Sequence, residues 1–493
     1  VLFYRKIEIA VIPKGGYNRG MSTVVKRLLL SCGVIALAAC LCLSAVNILG
    51  AGWLLLAGQE EAVLPPTSTE PPAPPQQPIV TASPSSEAPS PGETLSPDLM
   101  KQMDAIEQQV ISLRGLQPNA AVERVLLDSE QLRQNVINDF LQDYSPEKAS
   151  EDVRVLSIFG LIEPGFDLYH FYIELFSEQV AGYYDDETKQ MFVVQAAGFQ
   201  GPERMTYAHE YVHVLQDQVY DLENGLQYSS AACETDTERC AALQALIEGD
   251  ASLLELKWFS SYATRQDIKE IMAFYQNFQS PVYDRAPQYL QQDFLFPYQA
   301  GQAFVQYLYD RGGWPAVDAA YQTPPLSTEQ ILHPERYPAD QPWTVTLPDL
   351  SRVAAGNWQE LDRGVMGEWY TYLVLAHGNH AKFRLPEAQA TQAAAGWGGD
   401  AYAVYTEPQS GGTLMVLTTQ WETPNDADEF AQAFQTYANA RWTVRTLNDA
   451  GLQTWQVEDG YHQFVRRGKQ TWWLFAPDLA TMRAAWELLL ASD

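Results

Sequence analysis

Residues 203–218 read ERMTYAHEYVHVLQDQ. Met205, Ala208, Val212 and Leu215 recur at intervals of three, four and three, the apolar stripe of an α-helix. On that helix His209 and His213 stand four residues apart, so both imidazoles leave the same side and can reach one metal ion. Glu210 is one position on and turned toward the same opening. Two neutral imidazoles and one further protein ligand leave a zinc ion a fourth position for water. A carboxylate beside that water can take its proton as it attacks a peptide carbonyl, and return a proton to the leaving amine. The competing reading is a solvated helix face with two histidines and a surface glutamate. Against it, Tyr207, Ala208, Tyr211, Val212, Val214 and Leu215 describe a mostly buried helix, where histidines without partners would be costly.

A third ligand is sought downstream. From Arg239 to Phe259 the chain reads as a second buried helix, marked by Leu243, Leu246, Ile247, Leu253 and Leu254, with Glu248-Gly249-Asp250-Ala251 as an interruption. A carboxylate in such surroundings wants a cation, which makes Glu248 the candidate ligand. Gly249 costs about 1 kcal/mol relative to alanine inside a helix. It marks close approach of another backbone or of the metal site, or else a simple bend. Asp250 either orients a ligand histidine from behind or is an exposed charge. Upstream, Cys233 and Cys240 flank Thr235-Asp236-Thr237-Glu238, which reads as a helix start with a capping box between Thr235 and Glu238. Outside the cytoplasm the two cysteines can form a disulfide bracing the Glu248 helix; free thiols are the alternative. Tyr298 and His333 are candidates for hydrogen-bonding a developing oxyanion, or are structural. His170, His377, His380 and His462 are read as structural.

Together these residues resemble the gluzincin metallopeptidases, the thermolysin-like branch that uses the two histidines of H-E-x-x-H and a downstream glutamate. The resemblance covers roughly residues 180–325 and rests on Ala208-His209-Glu210-Tyr211-Val212-His213, on Glu248-Gly249-Asp250-Ala251, and on Pro297-Tyr298-Gln299-Ala300-Gly301-Gln302-Ala303-Phe304-Val305. The last stretch looks like the Tyr-x-x-Gly helix that follows the third ligand in peptidase-MA-like proteins. The resemblance implies a zincin-like fold and one zinc ion held by His209, His213 and Glu248. It also implies Glu210 as general base and a protein or peptide substrate laid along an edge strand from the hairpin before the helix. The chain departs from the pattern at Ser252, where some members carry an acidic residue four positions after the ligand glutamate. That departure concerns the groups behind the ligands rather than the ligands.

The rest of the chain frames this segment. At 493 residues it exceeds one ordinary domain. Leu28 to Ala57 holds no charged residue and is longer than the roughly 20 residues that cross a bilayer core. Lys26 and Arg27 precede it and Glu60 and Glu61 come after it, so the expected N-terminus is cytoplasmic and the remainder extracytoplasmic. Alternatively Leu37-Ala38-Ala39-Cys40 acts as a bacterial lipobox within a signal that starts near Met21, and Cys40 carries lipid. Cys32, Cys40 and Cys42 all fall in this apolar stretch, and both readings export the chain beyond it. From Gln59 to Asp98 there is no Lys or Arg and proline recurs, the composition of an extended, disordered spacer. A net charge of -30 argues against a nucleic-acid partner.

Helical spacing at Leu99, Met103, Ile106 and Val110 opens the globular part, and Gln179–Tyr184 with Gln190–Val194 reads as a hairpin. Past the prolines at 338, 342 and 348 the pattern becomes richer in strands: 401–406, 413–419, 454–457, 461–466 and 471–475, with helices near 426–438 and 478–490. Trp455, Trp472 and Trp473 are read as core, and Gly396-Trp397-Gly398-Gly399-Asp400 as a turn. The expected organisation is a cytoplasmic segment 1–27, an anchor 28–57, a spacer 58–98, a peptidase unit 99–345 and a C-terminal unit 346–493. The expected fold class is α+β, mainly helical with a small sheet and then a smaller α+β domain. The expected function is a membrane-anchored zinc peptidase; the alternative is a non-catalytic, metal-stabilised binding or sensor ectodomain. Glu210 weighs against the alternative, because a purely structural zinc site needs no general base.

Overall fold

A computed structural model describes residues 95–492, apart from 142–143, 181, 186–187, 195–197 and 445–452. The expected anchor, its lipobox alternative and most of the spacer lie outside these residues. No helix among the described residues is long and apolar enough to cross a membrane. The end of the spacer is corrected: Pro97 and Asp98 begin a helix, because the Ser96 hydroxyl accepts from the Leu99 amide and proline suits a first helical turn.

The described chain is mixed α+β. Helix α1 (Pro97–Arg114) leads to β1 (Glu123–Leu127) and to α2 (Ser129–Asn135), α3 (Pro146–Phe159) and α4 (Leu168–Gln179). Strands β2 (Gly182–Asp185) and β3 (Gln190–Val194) form the expected hairpin, and β1 joins β3 in parallel, so the sheet order β1-β3-β2 leaves β2 at an edge. Helices α5 (Gly201–Tyr220), α6 (Ser230–Thr235), α7 (Thr237–Tyr262), α8 (Arg265–Asn277), α9 (Pro281–Asp284), α10 (Gln288–Gly312), α11 (Trp314–Gln322) and α12 (Thr328–Leu332) come next.

Two expectations fail in α7. It runs unbroken through Glu248-Gly249-Asp250, because the glycine serves close packing rather than a break. A Cβ on Gly249 would lie 2.2 Å from the backbone of Gly301 on α10, and one on Gly301 would lie 2.1 Å from the carbonyl oxygen of Ala245. Nor does Thr235 cap the helix. The Asp236 carboxylate accepts from the Arg239 amide, while the Thr235 hydroxyl donates to Ala232 and Glu238 turns inward. Cys233 and Cys240 are joined by a disulfide that ties α6 to the first turn of α7. Closing so short a loop stabilises by about 2 kcal/mol. Replacing both cysteines with alanine is therefore expected to lower the unfolding free energy in urea by that amount, and an unchanged midpoint would show that the bridge adds nothing.

The second sheet is antiparallel, in the order β4-β5-β6-β10-β9-β8-β7, from β4 (Gln359–Gly364), β5 (Trp397–Thr406), β6 (Thr413–Trp421), β7 (Thr443–Val444), β8 (Gln453–Val457), β9 (Gly460–Arg467) and β10 (Gln470–Ala476). Helices α13 (Gly367–Ala376) and α14 (Glu387–Ala394) precede β5, α15 (Pro424–Arg441) follows β6, and α16 (Leu479–Ser492) follows β10. Side chains alternate between the faces, as a strand requires. Trp473 points to α15 and α3, its ring 5.5 Å from that of Phe159, whereas Trp472 points to α16, 5.9 Å from Trp486. The apolar layer that holds Trp473 continues without a gap into Leu246, Phe296 and Phe304 of the helical part.

The segment 396–400 is corrected as well. Only Gly396 has a turn conformation, with φ +76°, and β5 begins at Trp397 with a bulge before Gly399. The glycines at 398 and 399 admit Trp343, whose amide donates to the Gly398 carbonyl at 2.6 Å.

Candidate metal centre

Helix α5 begins where Gln200 and Glu203 bond each other's backbone amides, with proline in the first turn. Its middle is buried on all sides: His209 is 1% exposed, and Glu210 and His213 are 0%. Helix α7 packs across it, and Glu248, 1% exposed, meets both histidines. One carboxylate oxygen of Glu248, Oε2, lies 3.3 Å from His209 Nε2 and 3.4 Å from His213 Nε2. All three ligand atoms fall within 4.8 Å of one another.

Such spacings suit a shared ion better than hydrogen bonds. A charge-assisted N–H···O bond is about 2.7–2.9 Å long, whereas ligands about 2.0–2.1 Å from a tetrahedral zinc stand about 3.3–3.4 Å apart. His213 Nε2 is buried with no hydrogen-bond partner, and no hydrogen bond of good geometry reaches either oxygen of Glu210. Buried polar atoms left so are rare. A donor set of two imidazole nitrogens and one carboxylate fits zinc.

Behind each imidazole lies an oxygen, but only His213 is hydrogen-bonded there. His209 Nδ1 faces Glu255 Oε2 at 3.4 Å, and His213 Nδ1 is 2.8 Å from Gln216 Oε1. The Gln216 acceptor favours a proton on His213 Nδ1 and so leaves that ring's Nε2 bare toward Glu248. Burial pushes the Glu210 carboxyl up to about 7, against the pull of His213, His209 and the Tyr184 backbone N–H toward the charged form. For Glu248 burial acts in the same direction but is outweighed by His213 and His209, so its carboxyl sits below the ordinary range. Edge strand β2 passes beside Glu210: a Cβ on Gly182 would lie 3.7 Å from Glu210 Cγ.

The remaining expected residues divide. Tyr298, on α10, is buried with its ring centroid 6.4 Å from that of His209. Asp250 is buried, not an exposed charge, and no ligand histidine touches it; its partners are Arg114, Gln216 and Tyr321. His333 belongs elsewhere, its Nε2 2.9 Å from Glu368 on α13. His170 and His380 pair with Asp167 and Glu163, His377 meets the Tyr372 hydroxyl, and His462 stacks on Trp442. Sequence reasoning missed Glu255 and Gln216. Glu255 is seven residues beyond Glu248, two turns along the same face, and supplies the acidic group that Ser252 lacks. A second acidic group, Glu329, Asp340 and Glu422, surrounds Arg336, whose Nη1 contacts them at 2.8, 3.1 and 2.9 Å. The guanidinium itself fills the place a cation would take.

Residues 352–486, which include β4 to β10, match a family described as a domain of unknown function, DUF8575. No curated protein and no solved structure matches the chain.

Proposed function

We propose that this chain is a zinc-dependent peptidase, carried outside the cytoplasm on an N-terminal membrane anchor. The observation that carries the reading is the convergence of His209, His213 and Glu248, their ligand atoms within 4.8 Å of one another, with the carboxylate of Glu210 buried beside them. His209, His213 and Glu248 would hold the ion. Zinc bound there would supply a Lewis acid for a carbonyl and would lower the pKa of water to about 7. Glu210 takes a proton from the attacking water and passes one to the leaving amine nitrogen. The backbone of β2, at the sheet edge beside Glu210, is the surface on which an extended peptide would lie. Gln216 keeps the His213 imidazole oriented. The disulfide supports an oxidising compartment.

One observation favours the second reading, a metal-stabilised binding or sensor ectodomain: none of the four site side chains is more than 1% exposed. Full-length protein purified in detergent separates the two, through bound zinc by elemental analysis and cleavage of an unfolded protein by wild type and Glu210→Gln. The expected result is one zinc per chain in both, with cleavage slowed at least about 100-fold in the variant. Zinc without cleavage in either protein would move the assignment to the binding module. Absence of zinc from both would end the metal-centre reading.

A further inference from the structure

Gln216 lies one turn beyond His213 on α5, is fully buried, and uses both ends of its amide. Its Nε2 is 2.9 Å from the carbonyl oxygen of Ile247, 3.3 Å from Asp250 Oδ2 and 2.9 Å from the Tyr321 hydroxyl. The Ile247 carbonyl can only accept, and Asp250 Oδ2 already accepts from the Tyr321 hydroxyl and Arg114 Nη2. The NH2 end of the amide must therefore face them, which removes the usual ambiguity of an amide flip. Oε1 is then left to face His213 Nδ1 at 2.8 Å, and an acceptor at that distance places the proton on Nδ1.

Asp250 is in turn held from the far end of α1. Arg114 closes that helix with its side chain 0% exposed, and gives Asp250 two hydrogen bonds, Nε to Oδ1 at 2.8 Å and Nη2 to Oδ2 at 3.1 Å. Its own position is fixed by Asp318 at 2.7 Å and by the Trp314 ring, 4.4 Å from the guanidinium carbon. A guanidinium can only donate, so both oxygens of Asp250 serve as acceptors on the Arg114 side.

We infer that Gln216 is a positioning residue for the metal centre, and that Arg114 and Asp250 set its direction, so that His213 presents a bare Nε2. The inference rests on the zinc reading above. It makes α1 part of the metal centre rather than a mount for the spacer. It also gives Asp250 a task at one remove from the histidine.

The test is zinc affinity, measured by competition with a chromophoric chelator on the full-length chain in detergent, for wild type, Gln216→Met, Asp250→Asn and the double variant. Methionine keeps the volume and removes the acceptor. Circular dichroism and the thermal midpoint of the metal-free proteins report folding separately. Loss of a group behind a metal ligand typically weakens affinity about 10–100-fold. We expect that loss in Gln216→Met and no further loss when Asp250→Asn is added to it, because Asp250 acts through the glutamine. A folded Gln216→Met with wild-type affinity would overturn the inference while leaving the metal centre intact. Additive losses in the double variant would overturn the relay through Asp250. If Gln216→Met does not fold, Asp250→Asn alone decides: unchanged affinity overturns the inference and a 10-fold loss supports it. A wild-type chain that takes up no zinc removes the reading on which the inference stands, an outcome distinct from the others.

Discussion

Glu238→Gln is expected to be more stable than the wild type at pH 8.5, by a margin on the order of 5 kcal/mol, and nearly equal to it at pH 4.5. Glu238 sits buried in the first turn of α7, where the Thr328 amide and hydroxyl donate to it at 2.5 and 2.7 Å. Gly367 closes over it; a Cβ there would lie 2.1 Å from the carboxylate. Burial pushes its carboxyl up from an ordinary 4.5 to about 8, with Asp400 and Asp236 adding to the rise and Thr328 opposing it. Below pH 4.5 the group is protonated whether the chain is folded or not. Between 4.5 and 8 the unfolded chain gives up the proton and the folded chain keeps it, so folding loses about 1.4 kcal/mol for each pH unit. Above 8 the loss is complete and constant. The glutamine amide does not titrate and keeps the low-pH stability throughout. Urea unfolding of both proteins at the two pH values measures the margin, and a margin that does not change with pH would show that Glu238 is ionised in the folded chain.

Gly249→Ala is expected to cost about 3 kcal/mol or more and to weaken binding at the proposed zinc site at the same time. The added methyl would meet backbone atoms of Gly301 at 2.2 Å, and a backbone has no rotamer with which to step aside. Helices α7 and α10 must move apart, carrying Glu248 with them, since it is the neighbouring residue. Alanine's better helix propensity returns only about 1 kcal/mol. Urea unfolding and chelator competition on one preparation would read both effects. A variant as stable as wild type would mean that the two helices do not meet there.

Much of the candidate site could be read from the chain because its information is local. His209, Glu210 and His213 share one helix face at a fixed spacing, and Glu248 is a carboxylate in an apolar run. The supporting groups were not readable in the same way. Arg114 ends a helix that looks like any other, and nothing near it in the sequence says that Asp250 will be 136 positions away and in contact. Gln216 is one more polar residue on α5 until the crossing of α7 puts Ile247 and Asp250 against it. The five strands expected in the C-terminal part all exist, because alternating apolar residues mark a strand buried on one or both faces. Strand β4 escaped, since QELDRG is an edge strand whose single buried side chain is Asp362. The glycines at 396–399 misled for a physical reason: the same residue serves a turn and the close approach of a tryptophan.

The parts of the candidate site are far from simultaneous in a chain made from its N-terminus. Gln216 precedes Tyr321 by 105 residues, and the Trp314 indole bonds the Leu113 carbonyl across 201. At synthesis rates of roughly 5–20 residues per second, the histidine pair is made about 5–20 s before Trp314, Asp318 and Tyr321. Until α11 arrives, Arg114 lacks Asp318 and Trp314, and Gln216 lacks one of the partners that fix its direction. A nascent or truncated chain thus carries the full H-E-x-x-H motif without its finished setting until a helix about a hundred residues downstream is made.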